Sequence, residues 1–237
     1  MLEIRHVTDT SSLKKAYDDI YNNNGIIHTD SFYLWILDLL QPRPTSRLLD
    51  IACGQGRLSL LATKKGVQAY GIDLSSQAVR IGHNHGAKLA IANGECVPFA
   101  DSTFDYVTSI GSLEHYLDLK VGIYEITRVL KPQGLACILL PNSFSLLANV
   151  LFAWHTGRTA DDGQPIQRFA ARYEWQDQLE ANGLKVIRTV KYECERPRSV
   201  NDLWHYMKYP KSFFRLLLTP LIPTNLANSF VYLCTRR

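Results

Sequence analysis

Residues 48–60 read LLDIACGQGRLSL, and no other stretch so narrows what this chain can become. An apolar run stops at Asp50, and a loop of Ala52, Cys53, Gly54, Gln55 and Gly56 follows before helical spacing resumes. The spacing predicts a buried strand at 47–51 and a helix at 56–65, joined by a turn with hardly any side chain. Parallel strands need such crossovers. Glycines at the turn let the backbone approach something that side chains would hold off.

The same alternation continues. Strands are expected at 68–72, 88–92, 104–109 and 135–140, with helices at 75–83 and 119–130, after helical stretches at 11–21 and 30–40. Strands and helices in alternation imply a parallel sheet covered on both faces and closed by right-handed crossovers. After Pro141 the pattern loosens. Helical spacing returns at 143–154 and 173–182, strand-like runs at 184–192 and 229–235, and an aromatic insertion with four prolines occupies 196–225. At 237 residues and 46% hydrophobic content, one domain accommodates everything. Its parts are a helical cover at 1–45, a core at 46–142 and substrate-side segments at 143–237.

No apolar run approaches the roughly 20 residues that span a bilayer, and the polar start at 1–10 does not read as a signal peptide. Cys53, Cys96, Cys137, Cys194 and Cys234 are scattered and odd in number, which suits free thiols in a reducing cytoplasm. Charge is uneven: ten basic and three acidic residues lie from Lys185 onward, against sixteen and nineteen before it. A basic C-terminal region keeps anionic substrates, membrane surfaces and nucleic acid in view.

Open parallel sheets bind ligands beyond the carboxyl ends of their strands. Asp73 ends the second core strand 23 residues after Asp50, where an acid can accept hydrogen bonds from ribose hydroxyls. Loop and acid together point to a nucleoside-containing cofactor; the plainer explanation is a tight turn with Asp73 capping a helix. His83 and His85 have metal-like spacing but no clustered third ligand, so no metal is expected.

Four stretches carry a resemblance. LLDIACGQGRLSL, YGIDLSSQAV (70–79), ANGECVPFADSTFDYVTSIGSLEHYLD (92–118) and EITRVLKPQGLACILLPN (125–142) resemble, in order and spacing, the motifs of class I S-adenosylmethionine-dependent methyltransferases. Within that family the chain is similar to small-molecule enzymes of the ubiquinone/menaquinone-biosynthesis type. The resemblance implies a Rossmann-like, seven-stranded, mostly parallel α/β sheet with helices on both faces and the last strand antiparallel. It implies S-adenosylmethionine as cofactor, with Ala52, Gly54, Gln55 and Gly56 beside its methionine part and Asp50 orienting that region. Asp73 would hold the ribose, Leu74 would pack on the adenine, and Ile110 and Gly111 would line the methionine side. Asn93, Gly94 and Glu95 fall on the adenine side. Asn93 replaces the family's usual Asp, although its amide carbonyl can still accept from the adenine amine. Gln133 replaces a common glycine before the fifth core strand.

The acceptor is expected between 143–170, 196–225 and the N-terminal helices, with Trp154, Arg158, Tyr173, Trp204 and Tyr206 as lining. Such a lining suits an aromatic or partly apolar small molecule. His115 and His155 are the candidate bases, with His205 behind them. Residues 204–223 read as a lid, as plain packing or as a peripheral membrane contact. Small-molecule methylation competes with RNA or protein methylation and with a non-catalytic cofactor-binding scaffold. Nucleic acid is disfavoured, because SIGSLEHY stands where amino-methylating enzymes carry an Asn/Asp-Pro-Pro-aromatic signature.

Overall fold

Leu48, Leu49 and Ile51 in the short run after Arg47 are fully buried, so this strand lies in the middle of a sheet. The computed structural model describes residues 1–23, 25–26 and 28–237, with every side chain among them except those of Asn201, His205, Pro210, Lys211 and Ser212. In chain order its elements are β1 (Leu2–Arg5), α1 (Thr10–Asn23), α2 (Asp30–Leu40), β2 (Arg47–Ile51), α3 (Arg57–Lys64), β3 (Gln68–Asp73) and α4 (Ser76–Asn84). There follow β4 (Leu89–Ile91), β5 (Phe104–Ile110), α5 (Leu119–Val129), β6 (Leu130–Pro141), α6 (Leu151–Thr156), β7 (Ile166–Phe169) and α7 (Arg172–Ala181). The chain ends with β8 (Leu184–Tyr192), α8 (Val200–Lys208), α9 (Pro210–Leu218) and β9 (Ser229–Arg236).

Seven strands form one sheet in the order β4-β3-β2-β5-β6-β9-β8. Pairing is parallel from β4 through β6, and β9 runs antiparallel between β6 and β8. The expected architecture is therefore present. The order reverses at β2, so the carboxyl ends of β2 and β5 open the crevice where such sheets take ligands.

Each face of the sheet buries a helix layer because strand side chains alternate. On one face Leu49, Ile51, Phe230 and Tyr232 meet α5 and α7 through Ile123, Ile126, Trp175 and Leu179. On the other, Leu48, Val231 and Leu233 meet α2 and α3 through Phe32, Ile36, Leu37 and Leu58. Each such fully buried side chain contributes on the order of 1.5–3 kcal/mol. Helix starts follow the sequence: Ser75 accepts from the Ala78 amide and Asp118 from those of Lys120 and Val121.

Beyond expectation, β1 and β7 pair antiparallel as a separate two-stranded sheet, from Leu2↔Phe169 to Arg5↔Ile166. Four-residue strands in polar surroundings carry no readable period, which is why the sequence hides them. What fixes β7 is tertiary. The buried Arg168 guanidinium donates to Glu3 Oε2 (2.7 Å) and to the carbonyls of Glu114 (3.2 Å), Tyr116 (2.6 Å) and Leu117 (3.3 Å).

The insertion folds as two helices, α8 and α9, of which α8 is tied to α2. Ser31 donates to Asp202 (2.5 Å) and Arg198 to Asp38 (2.6 Å). Its outer face leaves Trp204, Met207, Phe214, Leu217 and Leu221 exposed. Among the described residues no helix is long and apolar enough to cross a membrane.

Candidate active site

The turn after β2 carries three left-handed residues, Ala52 (φ 55), Gly54 (φ 54) and Gly56 (φ 71). A non-glycine such as Ala52 holds that conformation only where its surroundings demand it. Asp73, at the end of β3, supplies part of the demand: Oδ2 accepts from the Gly54 amide at 2.7 Å and Oδ1 from that of Ser75 at 2.8 Å. Asp50 is held by the Thr108 hydroxyl at 2.6 Å. Burial pushes the Asp50 carboxyl up to about 7 and that of Asp73 up to about 6.

The two glycines do different work. A Cβ at Gly54 would meet the Tyr21 hydroxyl at 2.5 Å, so α1 sits directly over the turn. A Cβ at Gly56 would meet Leu89 at 2.8 Å and Ala87 at 3.0 Å instead. Gly56 lets the start of α3 pack on β4, and it lies outside the cavity lining where it was expected.

A cavity of about 780 Å³ opens at this strand edge, within the range of ligand sites. Asp50, Ala52, Gly54 and Gln55 line it from the first turn, and Asp73 and Leu74 from the second. Asn93, Gly94 and Glu95 line it after β4, and Ile110 and Gly111 at the end of β5. The structure thus gathers eleven expected cofactor residues, Gly56 excepted, on one surface. Asn93 differs in detail from expectation. Its carbonyl accepts from the Glu95 amide (3.0 Å) and its amide nitrogen faces Glu95 Oε2 (3.4 Å), so part of its acceptor capacity is already in use.

Of the two expected bases, the structure brings His115 to the cavity and leaves His155 away from it. His155 lies on the exposed α6, which runs outward after β6, and it is not part of the lining. His115 is buried, with Nδ1 bonded to the Ile166 carbonyl. A carbonyl only accepts, so Nδ1 carries the proton and Nε2 keeps its lone pair. Burial lowers the imidazole pKa, which keeps the ring neutral. Nε2 lies 3.8 Å from Glu114 Oε1, and burial pushes the Glu114 carboxyl up to about 8.

Of the stretches expected around the acceptor, 143–170 and the N-terminal helices line the cavity, whereas no described residue of 196–225 does, and the individual lining residues need correction. Trp154 is 81% exposed, and Tyr173 and Trp204 are also exposed. Arg158 is exposed as well, while Tyr206 is buried with its hydroxyl donating to the Glu195 carbonyl. None of these lines the cavity, and α8, which carries Trp204 and Tyr206, is bonded to α2 through Asp202 and Ser31. The His205 side chain lies outside the described residues. The cover comes instead from Tyr17, Tyr21 and Tyr33 of the N-terminal helices, and from Asp162, Gln164, Gln167 and Phe169 in and before β7. Tyrosines at 17 and 21 share one helix face, a four-residue spacing that the sequence displays; Gln167 had no signal at all.

The family described as Methyltransferase domain matches residues 49–138. The ubiquinone/menaquinone biosynthesis C-methyltransferase UbiE of Geotalea daltonii is 35% identical over 120 residues, covering 46% of this chain and 50% of that one. The chain thus spans about half the length of the curated relatives it matches. Among solved structures, the [4+2]-cyclase SpnF superposes with a TM-score of 0.68 at 17% identity, over 98% of both chains. Geranyl diphosphate C-methyltransferase from Streptomyces coelicolor A3(2), in complex with Mg2+, geranyl diphosphate and S-adenosyl-L-homocysteine, gives 0.67 at 13% identity over 95% of this chain and 98% of that one. Residues 49–138 match the methyltransferase domain, and the chain as a whole shares the Rossmann-like fold of these solved structures.

Proposed function

We propose that this chain, a class I fold built around a methyltransferase domain, is an S-adenosylmethionine-dependent methyltransferase acting on a small-molecule acceptor. The carrying observation is the junction of the two βα turns, where the Asp73 carboxylate ties the Gly54 amide at the mouth of a 780 Å³ cavity. The residues present suit the cofactor. Gly54 keeps the turn open where a Cβ would collide with Tyr21, and the buried carboxyls of Asp50 and Asp73 favour a cationic ligand.

When bound, the cofactor supplies a methyl group already activated on a sulfonium. The protein's task is alignment and exclusion of water rather than activation. In this reading Asp73 accepts from the ribose hydroxyls and Leu74 packs on the adenine. Asn93 and Glu95 meet the adenine edge, and Ile110 and Gly111 border the methionine side. His115 accepts the acceptor's proton at Nε2 where a hydroxyl is methylated, while the Ile166 carbonyl holds its tautomer. The N-terminal tyrosines close the cavity over both ligands. Five free cysteines fit a cytoplasmic, reducing setting.

The test is calorimetry with S-adenosylhomocysteine, followed by turnover of a methyl-labelled cofactor over aromatic and polyketide-like acceptors, glycosides and tRNA. Tight S-adenosylhomocysteine binding with labelling of a small molecule is expected. Labelling of tRNA alone, or no cofactor binding, would refute the reading.

A further inference from the structure

Three side chains on the cavity wall, those of Gln167, Glu114 and Tyr116, hold buried polar atoms without a hydrogen-bond partner among the described residues, and the Tyr116 hydroxyl is packed against Gly94. In Gln167 these are both amide atoms, and in Glu114 Oε2. Gln167 and Glu114 are 2% and 4% exposed, and both line the cavity. Buried polar groups are nearly always paired, so orphans facing a ligand cavity mark where a ligand's own polar atoms belong.

Neither residue is loosely held. Gln167 lies on β7 between Ile166, whose carbonyl holds His115, and Arg168, whose guanidinium is locked onto the loop after β5. Alternation along the strand puts Phe169 on the same face as Gln167, and Phe169 also lines the cavity. A Cβ at Gly111 would lie 3.8 Å from Glu114 Oε1 and 3.9 Å from Leu139. The Glu114 carboxyl therefore sits at the end of β5, beside the residues assigned to the methionine side.

We infer that Gln167 and Glu114 select the acceptor, recognising a neutral oxygen head group, a hydroxyl or carbonyl, on an apolar ring. The inference rests on the methyl-transfer reading above. A primary amide offers a donor and an acceptor side by side, which matches a hydroxyl or an enol–carbonyl pair. The Glu114 carboxyl keeps its proton at neutral pH because of its burial, and so adds a donor for a carbonyl. Phe169, Ile110, Leu139 and Pro141 supply the apolar surface. Of the cations that could hold a carboxylate or phosphate head group, Lys64 lines the cavity from α3, and the arginines are engaged. Arg57 is engaged by Asp30 through two contacts of 2.5 Å, and the Arg168 guanidinium is held on the opposite side of β7.

The experiment titrates the full chain at pH 7 with 2-naphthol, 2-naphthoate and 2-methylnaphthalene, each with and without S-adenosylhomocysteine. The wild type is expected to bind 2-naphthol tightest of the three. Gln167→Leu should weaken 2-naphthol about tenfold, the loss of one or two hydrogen bonds, and leave S-adenosylhomocysteine and 2-methylnaphthalene unchanged. Glu114→Gln, which still donates, should retain 2-naphthol, and Glu114→Leu should lose it. Unchanged 2-naphthol affinity in Gln167→Leu overturns the inference, as does a wild type that prefers 2-naphthoate or binds no 2-naphthol. If Gln167→Leu does not fold, the Glu114 pair and the wild-type ranking decide. Binding of 2-naphthol without any binding of S-adenosylhomocysteine would defeat the methyl-transfer reading while supporting the selective pair.

Discussion

Gly54→Ala probes the turn most directly, because the structure charges it with two separable costs. The residue sits at φ +54, a left-handed conformation that costs an alanine about 1–2 kcal/mol. The new Cβ would also meet the Tyr21 hydroxyl at 2.5 Å. Where Tyr21 keeps its place, overpacking of this kind costs about 1–3 kcal/mol. The total destabilisation is then about 2–5 kcal/mol. Tyr21→Phe removes the colliding oxygen, leaving Cζ at 3.4 Å in ordinary contact. The double variant should recover the collision, about 1–3 kcal/mol, and keep only the backbone cost. Urea unfolding of the wild type, both single variants and the double variant measures this as a coupling energy. Strict additivity would show that α1 does not press on the turn. A neutral Gly54→Ala would show that the turn is not left-handed.

Asp73→Ala leaves the Gly54 and Ser75 amides without their acceptor, and S-adenosylhomocysteine affinity should fall by about 1–3 kcal/mol in calorimetry; unchanged affinity contradicts the ribose assignment. His115→Ala should lower turnover of a hydroxyl acceptor by roughly 10²–10⁴ with cofactor affinity at the wild-type level, whereas parallel loss of both would mark a structural role. Asn93→Asp places a carboxylate where the amide nitrogen now faces Glu95 Oε2 at 3.4 Å, so cofactor binding should weaken by up to about 1 kcal/mol; tighter binding would mean that the Asn93 amide is not turned toward Glu95. The carboxyls of Asp73, Asp50 and Glu114 titrate in the folded protein near 6, 7 and 8, above their unfolded values near 4. The native state holds these protons more tightly, so the stability they confer is complete below about pH 4 and is lost as pH rises through 6–8. Ligand-free stability rising between pH 5 and 8 in urea titrations would contradict the burial of these groups.

The sheet was legible because its signal is local. Buried strands such as 47–51 are short apolar runs, and their helices carry caps and a 3.6-residue period that neighbours in sequence spell out. The cofactor side was legible for a related reason: a parallel sheet delivers the ends of β2, β3 and β5 to one edge whatever else the chain does. Gly54, Asp73 and Gly111 had to converge once those strands existed.

Which side chains of 143–170 and the N-terminal helices reach the cavity was decided by tertiary structure. Trp154 and Trp204 have the composition of a binding site, yet both are exposed: Trp154 lies on α6, exposed along its whole length, and Trp204 on α8, which is anchored to α2 through Asp202 and Ser31. Gln167 carries no motif and lies in a four-residue strand. Its strand is held at the cavity by pairing with β1 and by Arg168 beside it, bonded to Glu3, more than 160 residues away in the chain, and to the carbonyls of Glu114, Tyr116 and Leu117. Even His115, which the structure brings to the cavity, acquires its tautomer from the carbonyl of Ile166, 51 residues further on. Local periodicity and capping write the core into the sequence, whereas a site assembled from long-range ion pairs and backbone acceptors exists only once the chain has closed upon itself.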